Sequence, residues 1–266
     1  MYDRYNRHIN YLRISVTDRC NLRCSYCMPS TDIRLFPAEE ILSYDEIAEV
    51  VKAAVGMGIR KFRLTGGEPL VRKDIVKLVA MLSAIEGVKE LVMTTNGTLL
   101  AGYAAELKKA GLQSVNISLD TLDPATYAEL TGGGRLGDVL RGIEAALACG
   151  LTPVKINCVV EHSSRDGNAR AVKAFCLGKG LQVRFIRKMN LSTGDFAEVE
   201  GGEGGACARC NRLRITSNGM IRPCLFDEKE FAVRTLGAQE ALLCALQSKP
   251  AKGSINRKST FYNTGG

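Results

Sequence analysis

Short apolar runs alternate with longer stretches of helical spacing from residue 11 to about residue 190. Residues 11–16 (YLRISV), 61–65 (KFRLT), 90–95 (ELVMTT), 114–120 (SVNISLD), 153–160 (PVKINCVV) and 182–189 (QVRFIRKM) read as six strands. Between them, residues 44–57 carry helical spacing, with Ser43 and Glu46 forming a capping-box signature. Asp74 is expected to cap a helix over 75–85, and Asn96-Gly97 precedes a helix to about residue 110. Asp123-Pro124 matches an N-cap with proline at the first helical position. Helical pattern then runs to Cys149, interrupted at Gly132–Gly134, and a further helix covers 167–179. Strands and helices alternating at this spacing predict an α/β fold of parallel βαβ units. Six units make a partial barrel and are too few for a closed eight-stranded one. Residues 1–190 therefore read as the barrel. Residues 191–206 (LSTGDFAEVEGGEGGA) read as a flexible Gly- and Glu-rich link, and residues 207–266 as a small appended region.

Composition narrows the setting. No apolar run approaches about 18 residues without a charge, and the opening MYDRYNRHINYLR is polar and mixed in charge, unlike a secretory signal. A soluble, cytoplasmic protein is expected, without a membrane partner. Ten cysteines with no tryptophan are unusual for such a chain. In a reducing compartment clustered cysteines are metal ligands or redox groups rather than disulfides. Six fall into two groups, Cys20, Cys24, Cys27 and Cys207, Cys210, Cys224; Cys149, Cys158, Cys176 and Cys244 read as small core residues. The net charge of +8 admits nucleic acid, an anionic membrane or a small polyanion as partner. The basic residues singled out below sit at strand ends rather than in a surface run, which argues against nucleic acid.

Cys20-x3-Cys24-x2-Cys27 places three thiolates on one loop after the first strand. A [4Fe-4S] cube has four irons to cap, so three cysteines leave one iron open to chelate a small molecule. Zinc is the alternative, since CxxC pairs occur in zinc sites. Structural zinc takes four ligands, however, and neither His8 nor His162 lies at zinc-finger spacing. The stretch DRCNLRCSYCMP, with an aromatic before the third cysteine, resembles the signature of the radical S-adenosylmethionine (SAM) superfamily. That resemblance implies a partial (β/α)6 barrel, the architecture the strand count predicts independently. It also implies SAM on the open iron, cleaved after one-electron reduction to a 5′-deoxyadenosyl radical that abstracts a substrate hydrogen. The radical comes from the cofactor, so no protein side chain is named as catalytic. Gly66-Gly67-Glu68-Pro69 stands at the end of the second strand, where barrel active sites form. In the superfamily this motif meets the SAM amino group. Thr94 to Gly97 and Ser118 end the next two strands, with capping and turn chemistry as the alternative reading.

Cys207-x2-Cys210-x13-Cys224 again offers three thiolates, and by itself indicates a second metal or cluster site, zinc included. Its surroundings, CARCNRLRIT, then Asn-Gly, then Cys224-Leu-Phe, resemble the GTP 3′,8-cyclases of molybdenum cofactor biosynthesis, as does the terminal Gly265-Gly266. The resemblance covers nearly the whole chain. It implies a second [4Fe-4S] cluster whose open iron binds the guanine of GTP. It also implies C3′ hydrogen abstraction and attack on guanine C8, giving (8S)-3′,8-cyclo-7,8-dihydroguanosine 5′-triphosphate. Carried over position by position, Arg13, Arg63, Thr94, Lys155, Arg212 and Arg214 are expected at GTP, with Lys61 and Arg184 as further basic positions. Tyr26, Gly67, Ser118 and Met189 are expected at SAM. Arginine forks suit triphosphate oxygens. A low-potential electron donor and a downstream pterin-forming enzyme are the implied partners.

The chain departs from the family pattern in three places. The family carries a few dozen more residues before the second cysteine group, Arg187 stands where an acidic residue is common, and the tail STFYNTGG matches loosely. Three alternatives stay open: a paralogue acting on another phosphorylated nucleotide, a peptide modifier with an auxiliary cluster, and a non-catalytic two-cluster electron carrier.

Overall fold

In the computed structural model the described residues are 1–28, 33–258 and 260–264, so the Gly265-Gly266 ending lies outside them. The six expected strands form as β1 (Tyr11–Ser15), β2 (Lys61–Thr65), β3 (Glu90–Thr95), β4 (Ser114–Ser118), β5 (Lys155–Val160) and β6 (Gln182–Arg187). They are parallel and adjacent in chain order. Their connections carry α1 (Tyr44–Gly56), α2 (Ile75–Ser83), α3 (Leu100–Lys109), α4 (Pro124–Thr131), α5 (Leu136–Ala148) and α6 (Gly167–Gly178). The sheet does not close on itself, so the barrel is partial. The capping box at Ser43 and Glu46 forms, as does the Asp123 cap ahead of Pro124. Asp74 does not cap α2: its backbone is left-handed at φ 59, and its carboxylate makes no cap bond. A capping aspartate needs extended backbone to turn its side chain onto the first helical N–H groups. No helix among the described residues is long and apolar enough to cross a membrane.

Residues 207–266 continue the same sheet. β7 (Arg212–Ile215) pairs parallel with the free edge of β1, setting Tyr11 opposite Arg212 and Arg13 opposite Arg214. β8 (Met220–Arg222) and β9 (Phe231–Ala232) follow antiparallel, giving nine strands in the order β6-β5-β4-β3-β2-β1-β7-β8-β9. The short helix α7 (Val233–Leu236) leads into α8 (Ala238–Gln247), whose Ala241, Leu242, Ala245 and Leu246 join the main core. A last turn, α9 (Phe261–Thr264), lies against β1.

The segment expected to be a flexible link is built into the molecule. Phe185 of β6 and Glu200 exchange backbone hydrogen bonds, covering the β6 edge. Phe196 stacks on Phe226 with ring centroids 4.4 Å apart, in a small apolar cluster with Leu191 and Leu225. Its glycines serve close approach rather than freedom. Gly205 sits at φ +82, and a Cβ there would lie 2.2 Å from the Ala197 carbonyl oxygen. In a flexible tether Gly→Ala is neutral or stabilising by about 0.4–1 kcal/mol. We predict instead that Gly205→Ala destabilises the protein by about 1–3 kcal/mol, because both the left-handed backbone and the contact are lost. Urea denaturation measures this, and an unchanged or raised midpoint would restore the tether reading.

Candidate active site

Side chains alternate across a strand, so one residue in two from β1 to β7 points into the half-barrel. Those positions line two adjoining cavities at opposite ends of the parallel strands. Asn157, Ile186 and Met189 border both.

The cavity at the C-terminal strand ends is walled by Cys20, Cys24, Cys27, Tyr26, Gly67, Thr94, Ser118 and Met189. All four residues expected at SAM therefore share one space with the first cysteine group. The loop is held from several sides. Cys27 and Met28 donate backbone hydrogen bonds to the Cys24 carbonyl, while Arg23 and Ser25 donate to the end of α4. The Leu22 amide and the Asn96 side chain donate to Cys20 Sγ, at 3.4 and 3.8 Å. Gly67 lets two chain segments meet: a Cβ there would lie 2.2 Å from the Arg19 carbonyl oxygen, just before Cys20. Next to it, fully buried Glu68 accepts from Thr95 Oγ1 (2.7 Å), Asn96 N (2.6 Å) and Leu70 N (3.1 Å), tying the GGEP turn to the end of β3. Tyr26 donates to Asp120 Oδ2 at 2.7 Å, and Asp120 Oδ1 accepts from Val159 N. Burial pushes the Cys24 and Cys27 thiols up to about 12, helped by Asp120 beside Cys24.

The cavity at the N-terminal strand ends has the opposite character. Cys207, Cys210 and Cys224 share it with Arg13, Lys61, Arg63, Arg184, Arg212 and Arg214. Residues of the 191–206 segment, from Phe196 to Ala206, form part of its wall. Arg13 stands between Arg63 and Arg214 in one row of the sheet. Burial, reinforced by the neighbouring arginines, holds Arg13 well below its ordinary range and Arg214 at about 10. Tyr11, beneath this group, has Lys61 and Arg63 over its ring at 5.4 and 5.8 Å. Burial opposes ionisation of Cys210, but the charges of Lys249 and Arg212 bring its thiol down to about 7.

Two expected positions sit differently. Thr94 lines the SAM-side cavity rather than the basic one, although its hydroxyl accepts from Arg63 Nη1 at 3.1 Å across the boundary. Lys155 lies outside both walls at the start of β5, near Arg184, Lys61 and Arg63, and burial with those charges lowers its pKa. Arg187 reaches out of β6 to pair with Asp195 of the 191–206 segment. Sequence reading passed over Tyr11, Asn116, Asn157, Asp120 and Lys249. Period-two alternation along the strands identifies the first three, whereas Asp120 and Lys249 are placed by packing alone.

The residues fit iron–sulfur clusters. Each group supplies three thiols to one cavity wall. Structural zinc takes four ligands converging on one ion. A cube instead takes each thiolate on a separate iron. In the basic cavity Arg63 Nε, Arg184 Nε and Asn116 Oδ1 are buried with no hydrogen-bond partner among the described residues, which suits a polar ligand.

Residues 14–165 match the radical SAM superfamily. A GTP 3′,8-cyclase of Alkaliphilus oremlandii is 41% identical over 303 residues, covering 96% of this chain and 95% of the relative. The chain belongs to the GTP 3′,8-cyclase family. A Moorella thermoacetica family member is likewise 41% identical, over 92% of this chain and 91% of its own. The Alkaliphilus alignment is longer than this chain's 266 residues, so that relative carries residues absent here. Among solved structures, SAM-bound anSMEcpe superposes with a TM-score of 0.64 at 16% identity, covering 91% of this chain and 81% of its own. Streptococcus suis SuiB bound to SAM gives 0.62 at 18%, covering 94% and 66%. These two show the fold. As a radical SAM enzyme, this family member uses SAM and a [4Fe-4S] cluster, and the non-catalytic carrier reading falls away.

The buried Glu68 carboxyl gives a pH signature. Burial outweighs its three hydrogen bonds and raises it from 4.5 to about 7. The folded state therefore holds this proton more tightly than the unfolded chain, and the stability it contributes is complete below pH 4.5 and lost as pH rises through 7. Urea midpoints of wild type and Glu68→Gln across pH 4 to about 8 are expected to diverge, wild type losing stability relative to the variant through this window. A constant difference would sink the assignment.

Proposed function

We propose that this chain converts GTP to (8S)-3′,8-cyclo-7,8-dihydroguanosine 5′-triphosphate, with its two cavities holding the two reactants of that reaction. Cys20, Cys24 and Cys27 hold the SAM-binding cluster, and Tyr26, Gly67, Ser118 and Met189 surround SAM. When bound, cluster and SAM supply a 5′-deoxyadenosyl radical able to take a hydrogen atom from ribose. Cys207, Cys210 and Cys224 hold a second [4Fe-4S] cluster whose open iron receives guanine. Arg13, Arg63, Arg184, Arg212 and Arg214, with Lys61, bind the triphosphate, and Thr94 spans the boundary through Arg63. Lys155 adds charge from the rim.

The observation that carries this reading is the adjacency of the two cavities. One basic cavity opens beside the SAM-side cavity, and among the described residues Asn157, Ile186 and Met189 border both. A nucleotide held by its phosphates at the N-terminal strand ends then presents its ribose toward the SAM side. The 191–206 segment closes the basic cavity and keeps water from a reactive ribose carbon. A low-potential protein supplies the electron, a pterin-forming enzyme consumes the product, and a reducing cytoplasm keeps the thiols free.

Anaerobic reconstitution with iron and sulfide, then dithionite, SAM and GTP, is expected to yield the cyclised triphosphate by mass spectrometry. Formation of 5′-deoxyadenosine with GTP unchanged would keep the radical chemistry and sink the cyclase. In the same assay Cys24→Ala is expected to abolish SAM cleavage. Cys210→Ala should retain slow, uncoupled 5′-deoxyadenosine release while losing the product, and full turnover by that variant would count against the second cluster.

A further inference from the structure

Lys249 follows α8, and its residue is 2% exposed. Its ammonium donates to the Arg212 carbonyl and the Pro223 carbonyl, each at 2.8 Å. These two bonds use two of the three N–H donors an ammonium carries. Among the described residues it forms no ion pair, although burying a cation without a counter-charge is unfavourable. The same residue lines the cavity that holds Cys207, Cys210 and Cys224.

Its two acceptors lie within that cysteine group. Arg212 follows Cys210 by two residues, and Pro223 precedes Cys224. Lys249 therefore staples the two chain segments that carry these thiols. The neighbouring residues complete the frame. Arg7, itself buried in an ion pair with Asp3 (2.6 Å), donates to the carbonyls of Pro250 (2.7 Å), Ala251 (3.1 Å) and Cys207 (2.8 Å). The backbones at all three cysteines are thus fixed through residues 249–251.

We propose that Lys249 is the positioning residue of the second cluster, its fixed charge set against the cluster rather than against the substrate. This rests on the reading that Cys207, Cys210 and Cys224 hold a cluster. A cluster bound by three thiolates carries negative charge, more so when reduced, and the reduction potential follows net charge and hydrogen bonds at the sulfurs. A cation held 2.8 Å from two backbone carbonyls, with one donor left over, would favour the reduced form of a cluster bound there, and it holds the chain segments that carry the thiols.

The test uses the full chain with Cys20, Cys24 and Cys27 replaced by alanine, so that iron bound after reconstitution belongs to the second group. Iron per chain and the midpoint potential, by EPR-monitored titration without GTP, are compared for Lys249, Lys249→Gln and Lys249→Arg. Lys249→Gln keeps two N–H donors for the carbonyls but removes the charge, and circular dichroism checks that it folds. The expected result is a midpoint shifted to more negative potential, or iron lost, in Lys249→Gln, with Lys249→Arg closer to the original. Unchanged iron and potential in Lys249→Gln would overturn the proposal. So would equal loss in both variants. If the parent chain takes up no iron, the second-cluster reading fails and this inference with it. Uptake with a silent Lys249→Gln fails the inference alone.

Discussion

Three guanidiniums stand in one row of this sheet because β1 is paired on both sides. Its parallel partners β2 and β7 set Arg63 and Arg214 opposite Arg13. Neighbouring strands lie only about 4.8 Å apart. Two unit charges about 5 Å apart at an effective dielectric near 20 repel by roughly 3 kcal/mol, and like charges directly opposite destabilise a sheet. Burial of Arg63 and Arg214 adds to that cost. The surrounding apolar core must hold this arrangement in place, since the row itself favours separation. A ligand carrying several negative charges reverses the sign, and its binding stabilises the fold by linkage. Tyr11 eases the same problem from below, its ring face turned to Lys61 and Arg63.

The two ends of the half-barrel divide charge between them. At the C-terminal ends of the strands stand the buried carboxyl of Glu68 and the half-buried one of Asp120, and the nearby thiols are pushed toward their neutral form. Metal binding there releases protons, and the N–H groups of Leu22 and Asn96 wait on Cys20. At the N-terminal ends cations dominate, and Cys210 is brought toward its thiolate. One end sets carboxyls beside its thiols, with Arg187 and Lys188 on its wall; the other gathers Arg13, Lys61, Arg63, Arg184, Arg212 and Arg214 and suits a polyanion. The separation is a few residues along each strand, so two cavities of different chemistry adjoin through Asn157, Ile186 and Met189.

Strand and helix positions were legible because each apolar run of four to six residues is bounded by glycine, asparagine or a capping pair. The agreement at 61–65 and 90–95 follows from that. Both cysteine groups and most basic positions were legible too, since local motifs carry them. Asp74 misled because its side chain type is right for a cap while its backbone, left-handed after the Pro69–Val71 turn, is wrong. The 191–206 segment misled because glycine signals either freedom or close approach, and only the contact at Ala197 decides which. Arg7 and Lys249 were invisible for a different reason. Arg7 meets Cys207 across 200 positions of sequence, and Lys249 meets Arg212 across 37, so neither partner can be read from spacing.

The short 191–206 segment shows how length and closure separate. A relative with more residues has more chain available for a cover, yet closure depends on where the chain is anchored. Here Glu200 binds the β6 edge, Asp195 pairs with Arg187, and Phe196 stacks beyond Cys224 on Phe226. The basic side chain at residue 187 thus has its partner within the segment itself. Together these anchors join the barrel's last parallel strand to the second cysteine group, which also attaches through β7 at the far side of β1. With both routes in place, the basic cavity is held from two directions. The row of guanidiniums cannot relieve its repulsion by parting β1 from β7 without also breaking the Phe196–Phe226 contact. A compact cover is therefore part of what keeps these basic residues in register.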